Sequence, residues 1–124
     1  MEPREALADL TEISPQIEAA VIFDATGTVV GSTLADDERS REVARLGRQL
    51  LAEADQARGS EEVDVAQLQV ELASGSVFVV RQGDRAITAA TGAQPTVGLV
   101  FYDLGSCLRS AADGGDAQEH DASP

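Results

Sequence analysis

The chain has 124 residues, 43% of them hydrophobic, and a formal net charge of -13. That length suits one domain, burying roughly two thirds of its extended-chain surface. The acidic field opposes both duplex nucleic acid and an anionic membrane surface. All nine basic residues are arginine, and they form no basic arm. A lone cysteine, Cys107, excludes an intrachain disulfide. The first residues lack a basic segment followed by an apolar one, and no run approaches spanning length. A cytoplasmic chain without direct membrane insertion is therefore expected.

Ala6, Leu7, Leu10 and Ile13 recur at helical spacing. Pro3 suits the start of that helix, and Ser14-Pro15 ends it because the residue before proline is steered out of the α region. A strand over 18–23 follows, then the reversal Asp24-Ala25-Thr26-Gly27, then a short strand over 28–32. Asp24 can accept local backbone hydrogen bonds, and Gly27 can take positive φ without steric penalty.

A long helix is predicted over 39–58, with Val43, Leu46, Gly47, Leu50, Ala54 and Ala57 on its inward face and Leu51 beside it. Arg41, Arg45 and Arg48 lie elsewhere on its surface, and Gly59-Ser60 closes it. The second half turns to sheet. Ala66, Leu68, Val70 and Leu72 alternate with Gln67, Gln69 and Glu71, which marks a strand with one wet face. Val77 to Val80 is a continuous apolar run, and a third strand returns over 85–91, completing a meander. A final helix starts near Thr96, with Val97, Val100, Phe101, Leu104, Cys107, Leu108 and Ala111 inward. Beyond Ala112 the composition is small, polar and acidic, so the expected division is a domain over 1–112 and a disordered tail over 113–124.

Nothing in the chain assembles a recognisable catalytic group. Asp24 could pair with Asp84 or Asp103, but the first two read as turn residues and the third as a helix residue facing water. Cys107 reads as a buried thiol, and His120 lies in the tail, so a Cys–His pair has no support. Zinc-ligand spacing is missing, and no cofactor is expected. The segment 91–96 precedes a helix whose free N–H groups could cradle an anion, but it lacks a phosphate-loop signature, and helix initiation accounts for it.

Several patterns in order carry a resemblance. They are Leu7-Ala8-Asp9-Leu10, the run from Ile17 to Asp24 with Gly27 in the turn, and Leu68-Gln69-Val70-Glu71. Gly75-Ser76-Val77-Phe78-Val79-Val80 and Val97-Gly98-Leu99-Val100 complete the set. Together they span about 4–112, and the chain resembles the Roadblock/LC7 family, in its bacterial branch related to MglB. The all-arginine composition would suit an actinobacterial source.

The resemblance implies a profilin-like α+β fold: a five-stranded antiparallel sheet in the order 2-1-5-4-3, with helices on both faces. It also implies a non-catalytic adaptor or regulator of a small Ras-like GTPase, acting in signalling as a homodimer joined through its third strand. A membrane sensor kinase complex is a further implied partner, which could recruit the protein to the membrane. Carried onto this chain, the dimer contact falls on Val65, Gln67, Leu68, Gln69, Val70 and Glu71. Arg41, Arg45 and Arg48 become candidates for partner binding, although three solvated side chains give the same pattern. Profilin-like sheets are also similar to PAS and GAF domains, so the alternative is a small-ligand sensory module, which would need an enclosed pocket.

Overall fold

The computed structural model describes the backbone of residues 1–57 and 66–122, and the side chains of 1–57 and 66–112. Eight elements follow in chain order: α1 (Pro3–Ile13), β1 (Ile17–Asp24), β2 (Val29–Ser32), α2 (Asp37–Ala57), β3 (Gln67–Leu72), β4 (Gly75–Gln82), β5 (Arg85–Thr91) and α3 (Val97–Ala122). The strands form one antiparallel sheet in the order β2-β1-β5-β4-β3, as the resemblance implied. Val65 and the predicted helix end at 58–60 lie outside the described residues. The helical backbone of α3 continues to Ala122, past the boundary expected at Ala112. Gly114 and Gly115 suggest a tail there, whereas Ala117, Gln118 and Glu119 are good helix formers.

Local chemistry sets the turns and helix ends. In the β1–β2 reversal, Asp24 Oδ1 accepts from the N–H groups of Thr26 and Thr28 at 2.9 and 3.0 Å and from the Thr26 hydroxyl at 2.6 Å. Gly27 sits at φ +90°, in the left-handed region that glycine reaches freely. Asp36 caps α2 by accepting from the Glu38 and Arg39 N–H groups through Oδ1. Gln16 Oε1 accepts from the Thr96 N–H at 2.6 Å, tying the end of α1 to the start of α3.

The sheet separates two apolar layers. On one face α1 and α3 bury Leu7, Leu10, Ile22, Phe78, Ile87 and Leu104, with Phe101 edge-on to Phe78 at 5.1 Å between ring centroids. On the other, α2 packs mainly over β1, β2 and β5 and buries Val21, Phe23, Ala44, Leu51 and Val79 with them. The closest approach is at Gly47. A Cβ built there would collide with the Thr88 hydroxyl oxygen and lie 3.1 Å from Phe23 Cζ. The Thr88 hydroxyl is buried and has no hydrogen-bond partner, so α2 lies against it with no space for even one methyl group.

The buried face of α2 is Ser40, Ala44, Gly47 and Leu51, which corrects the predicted inward stripe. Leu46 is 43% exposed, and Val43, Leu50 and Ala54 are only half-buried. The helix is rotated so that the small residues meet the sheet. The bulkier ones turn to its flank, because close approach to Thr88 requires the smallest side chain at the contact.

Two outcomes test this packing. Gly47→Ala should destabilise the fold by about 1–3 kcal/mol through overpacking, despite the roughly 1 kcal/mol that alanine gains over glycine in helix propensity. Thr88→Ala should recover part of that loss when combined with it, measured as a coupling in a double-mutant cycle of chemical denaturation.

The buried Cys107 supplies a separate test. Burial, aided by the Asp9 charge, pushes its thiol up to about 12 from an ordinary 9.0. The native thiol should therefore resist a thiol-specific reagent at pH 8 and react once denatured. The folded state holds the proton more tightly than the unfolded one. This contribution to stability is thus complete below about pH 9 and is lost as pH rises toward about 12, read as a falling denaturation midpoint that Cys107→Ala flattens.

Candidate functional site

The order of strands places β3 at the sheet edge, paired to β4 alone among the described strands. Its register opposite β4 is Gln67↔Val80, Leu68↔Val79, Gln69↔Phe78, Val70↔Val77 and Glu71↔Ser76. Leu68, Val70 and Leu72 therefore share the α2 side of the sheet with Val77 and Val79, while Gln67, Gln69 and Glu71 share the α1–α3 side with Phe78 and Val80. Gln69 Nε2 donates to Ser76 Oγ at 3.4 Å, on the same side.

The α2 side of β3 is poorly covered. Leu72 is 57% exposed, Val70 is half-buried, and Leu68 and Val77 lie partly buried against the core below α2. Beside them is the bulky flank of α2: Val43 and Leu50, partly buried against that core, with Leu46 exposed. Helix flank and strand thus make a shelf of half-covered apolar side chains, ending at a strand edge whose outer backbone groups have no described strand beside them. Such an edge is a template for another chain, and Glu71 is the one charged residue within β3.

Arg41, Arg45 and Arg48 are exposed, and their spacing places them on the opposite flank of α2 from Val43, Leu46 and Leu50. Arg48 crosses the β1–β2 turn. Its Cδ and Nη1 lie 3.3 Å from where a Gly27 Cβ would stand. Arg41 lines a cleft along β2 together with Arg4, Thr28, Ser32 and Asp37. The structure therefore groups the three arginines on the β2 side of the helix and keeps them apart from the β3 residues.

The remaining candidates are also placed. Asp24 and Asp84 line one depression at the end of the sheet, with Arg48, Arg85 and the Asp55–Arg81 ion pair, whose oxygens and nitrogens meet at 2.8 and 3.1 Å. Asp24 is held below the usual carboxylate range, first by the Thr26 hydroxyl and then by backbone N–H groups of the turn. That is the reverse of what a general acid needs. The N–H of Thr96 is already bonded to Gln16, which removes one donor from the segment considered for an anion. Asp103, expected to face water, is only 6% exposed and lies on the α1–α3 side. Its position between Val100 and Cys107 at helical spacing carried that signal. The space between the sheet and α3 is occupied by Phe78, Ile87, Val100 and Leu104, which leaves little room for the ligand that a PAS- or GAF-like reading requires. Among the described residues, no group of His, Cys, Asp or Glu could hold a metal ion, and no helix is long and apolar enough to cross a membrane.

Comparison with known proteins is consistent with this architecture. The Roadblock/LC7 domain profile matches residues 4–91. No curated protein matches the chain in sequence. A Roadblock/LC7 domain from Streptomyces avermitilis superposes with a TM-score of 0.82 at 21% identity, over 91% of this chain and 97% of that one. MglB from Myxococcus xanthus gives 0.77 at 14% identity, over 93% and 88%. The gliding protein MglB from Thermus thermophilus gives 0.69 at 13%, over 88% and 84%. At these identities the likeness is one of fold. With the profile covering most of its length, the chain belongs to the Roadblock/LC7 family.

Proposed function

We infer that this protein is a non-catalytic, homodimeric adaptor or regulator of a small Ras-like GTPase. The observation that carries this reading is the apolar shelf of Val43, Leu46, Leu50, Leu68 and Val77 beside the open edge of β3. A two-fold pairing of β3 with its copy would extend the sheet to ten strands, satisfy the edge backbone groups and bring the apolar flanks of two α2 helices together. Gln67, Leu68, Gln69, Val70 and Glu71 would make the strand contact, with Val65 continuing it.

That arrangement leaves the arginine flank of α2 facing outward in each protomer. Arg41, Arg45 and Arg48 are the residues through which a GTPase would be engaged, since a guanidinium can donate several hydrogen bonds in a fixed plane to carboxylates or to a bound nucleotide's phosphates. Family membership supports the GTPase as the partner class. A membrane sensor kinase complex is the assembly that would bring the dimer to the membrane.

Sedimentation should give a dimer at micromolar concentration. Leu46→Glu should shift it toward monomer without unfolding the chain, because the side chain is already exposed in one protomer. Gln69→Pro should weaken association further by perturbing the edge strand. A wild-type protein that stays monomeric would remove the basis for the dimer.

For the partner, affinity capture from the native cell with the nucleotide state controlled should enrich a small GTPase. Reversing Arg41, Arg45 and Arg48 to glutamate should abolish the enrichment while leaving the dimer intact. Capture of no GTPase in either nucleotide state would overturn the functional reading and leave the fold unaffected.

A further inference from the structure

The side of the sheet away from α2 carries a groove between α1 and α3, with a volume of about 230 Å³. Leu10, Ile13 and Cys107 give it an apolar wall, and Asp9, Glu12 and Asp103 supply three carboxylates, with no arginine side chain among the lining residues. Asp103 is the informative member. It is 6% exposed, yet no hydrogen bond or ion pair joins it to a described residue. Its oxygens are not among the polar atoms sealed from solvent without a partner, so the little surface that Asp103 keeps opens onto the groove it lines, where a cationic partner could reach it.

The rim of the groove is apolar and exposed. Ile13 is 63% exposed on α1, and Leu99 and Tyr102 are 48% and 67% exposed on α3, one turn from the lining positions 103 and 106. The volume falls below the roughly 300–1,000 Å³ of sites that enclose a drug-sized ligand. It suits one long side chain inserted from a larger segment that rests on the rim. We propose that the α1–α3 groove docks an amphipathic segment of a partner protein, inserting one arginine or lysine side chain against Asp103 while flanking apolar residues cover Ile13, Leu99 and Tyr102. The inserted cation meets Asp9, Glu12 and Asp103 together, and its methylene stem lies along Leu10 and Cys107. This surface is separate from the β3 edge and from the arginine flank of α2, so a protomer could engage this segment and its other partners at once.

The test is residue-resolved NMR titration of the full chain with a short capped peptide that has leucines around one central arginine. The same peptide with citrulline serves as the uncharged control. The arginine peptide should shift the amides around Leu10, Glu12, Asp103 and Cys107. Both citrulline and Asp103→Asn should weaken binding by roughly tenfold or more, as expected for loss of a charge-assisted hydrogen bond. Asp103→Asn should also leave the thermal midpoint of the free protein nearly unchanged, since it removes no hydrogen bond or ion pair to a described residue. Absence of saturable binding, shifts confined to α2 and β3, or equal binding by Asp103→Asn would each overturn the proposal. A clear fall in the midpoint would also overturn it, by showing that the carboxylate is already held within the fold. None of these results bears on dimerisation, which is read at different residues.

Discussion

A single helix cannot cover one face of a five-stranded sheet, and the surfaces of this molecule follow from that constraint. Strands about 4.8 Å apart make a face nearly 20 Å across, whereas a helix with its side chains is about 10–12 Å wide. The opposite face is covered by α1 and α3 together. The α2 face has α2 alone, and the contact between Gly47 and Thr88 fixes where that helix sits. It lies over β1, β2 and β5, which leaves the apolar side of β3 and the adjoining part of β4 only partly covered.

The same contact sets how α2 is rotated. Gly47 against Thr88 requires the small-residue line of Ser40, Ala44 and Gly47 to face the sheet. Two flanks of different chemistry then emerge on either side, with Val43, Leu46 and Leu50 toward β3 and Arg41, Arg45 and Arg48 toward β2. One packing decision therefore separates an apolar surface from a cationic one on a single helix. Four of the nine arginines, counting Arg39, lie on α2 among five acidic residues, and three of them share the β2 flank, away from the half-covered part of the sheet.

Much of the fold was legible because hydrophobic periodicity and turn chemistry agreed. Asp24 and Gly27 predicted the first reversal, Ser14-Pro15 the end of α1, and strict alternation from Ala66 to Leu72 the half-wet strand. The rotation of α2 was not legible. Periodicity showed that positions 43, 46, 47, 50, 51 and 54 were apolar, but only tertiary packing decided that Gly47 and Leu51 would be covered while Leu46 would not. Asp103 illustrates a different limit. Its helical spacing from Val100 and Cys107 placed it on the inward side, whereas its charge suggested water. Burial of the residue followed spacing, and a largely covered carboxylate with no partner among the described residues is a local departure from the rule that covered charges are paired.

The acidic charge of the chain bears on how these surfaces can work together. Two protomers each carrying a formal charge of -13 repel at long range, but at physiological salt the Debye length is about 8 Å. The repulsion that matters is therefore between charges close to the contact. The charged neighbours of the apolar shelf on α2 are of mixed sign, Arg39 with Glu42 and Glu53, and β3 itself carries only Glu71. Pairing through that edge would rely on backbone hydrogen bonds and apolar burial, both of which are weakly sensitive to the remote carboxylates. The acidic residues elsewhere then act at a different stage. They disfavour adsorption to nucleic acid or anionic lipid and, on the proposed readings, would attract segments with cationic side chains, while the arginines of α2 would select the opposite charge on the other side of the sheet. Dimer formation and partner choice can thus rest on different physical interactions within one small domain.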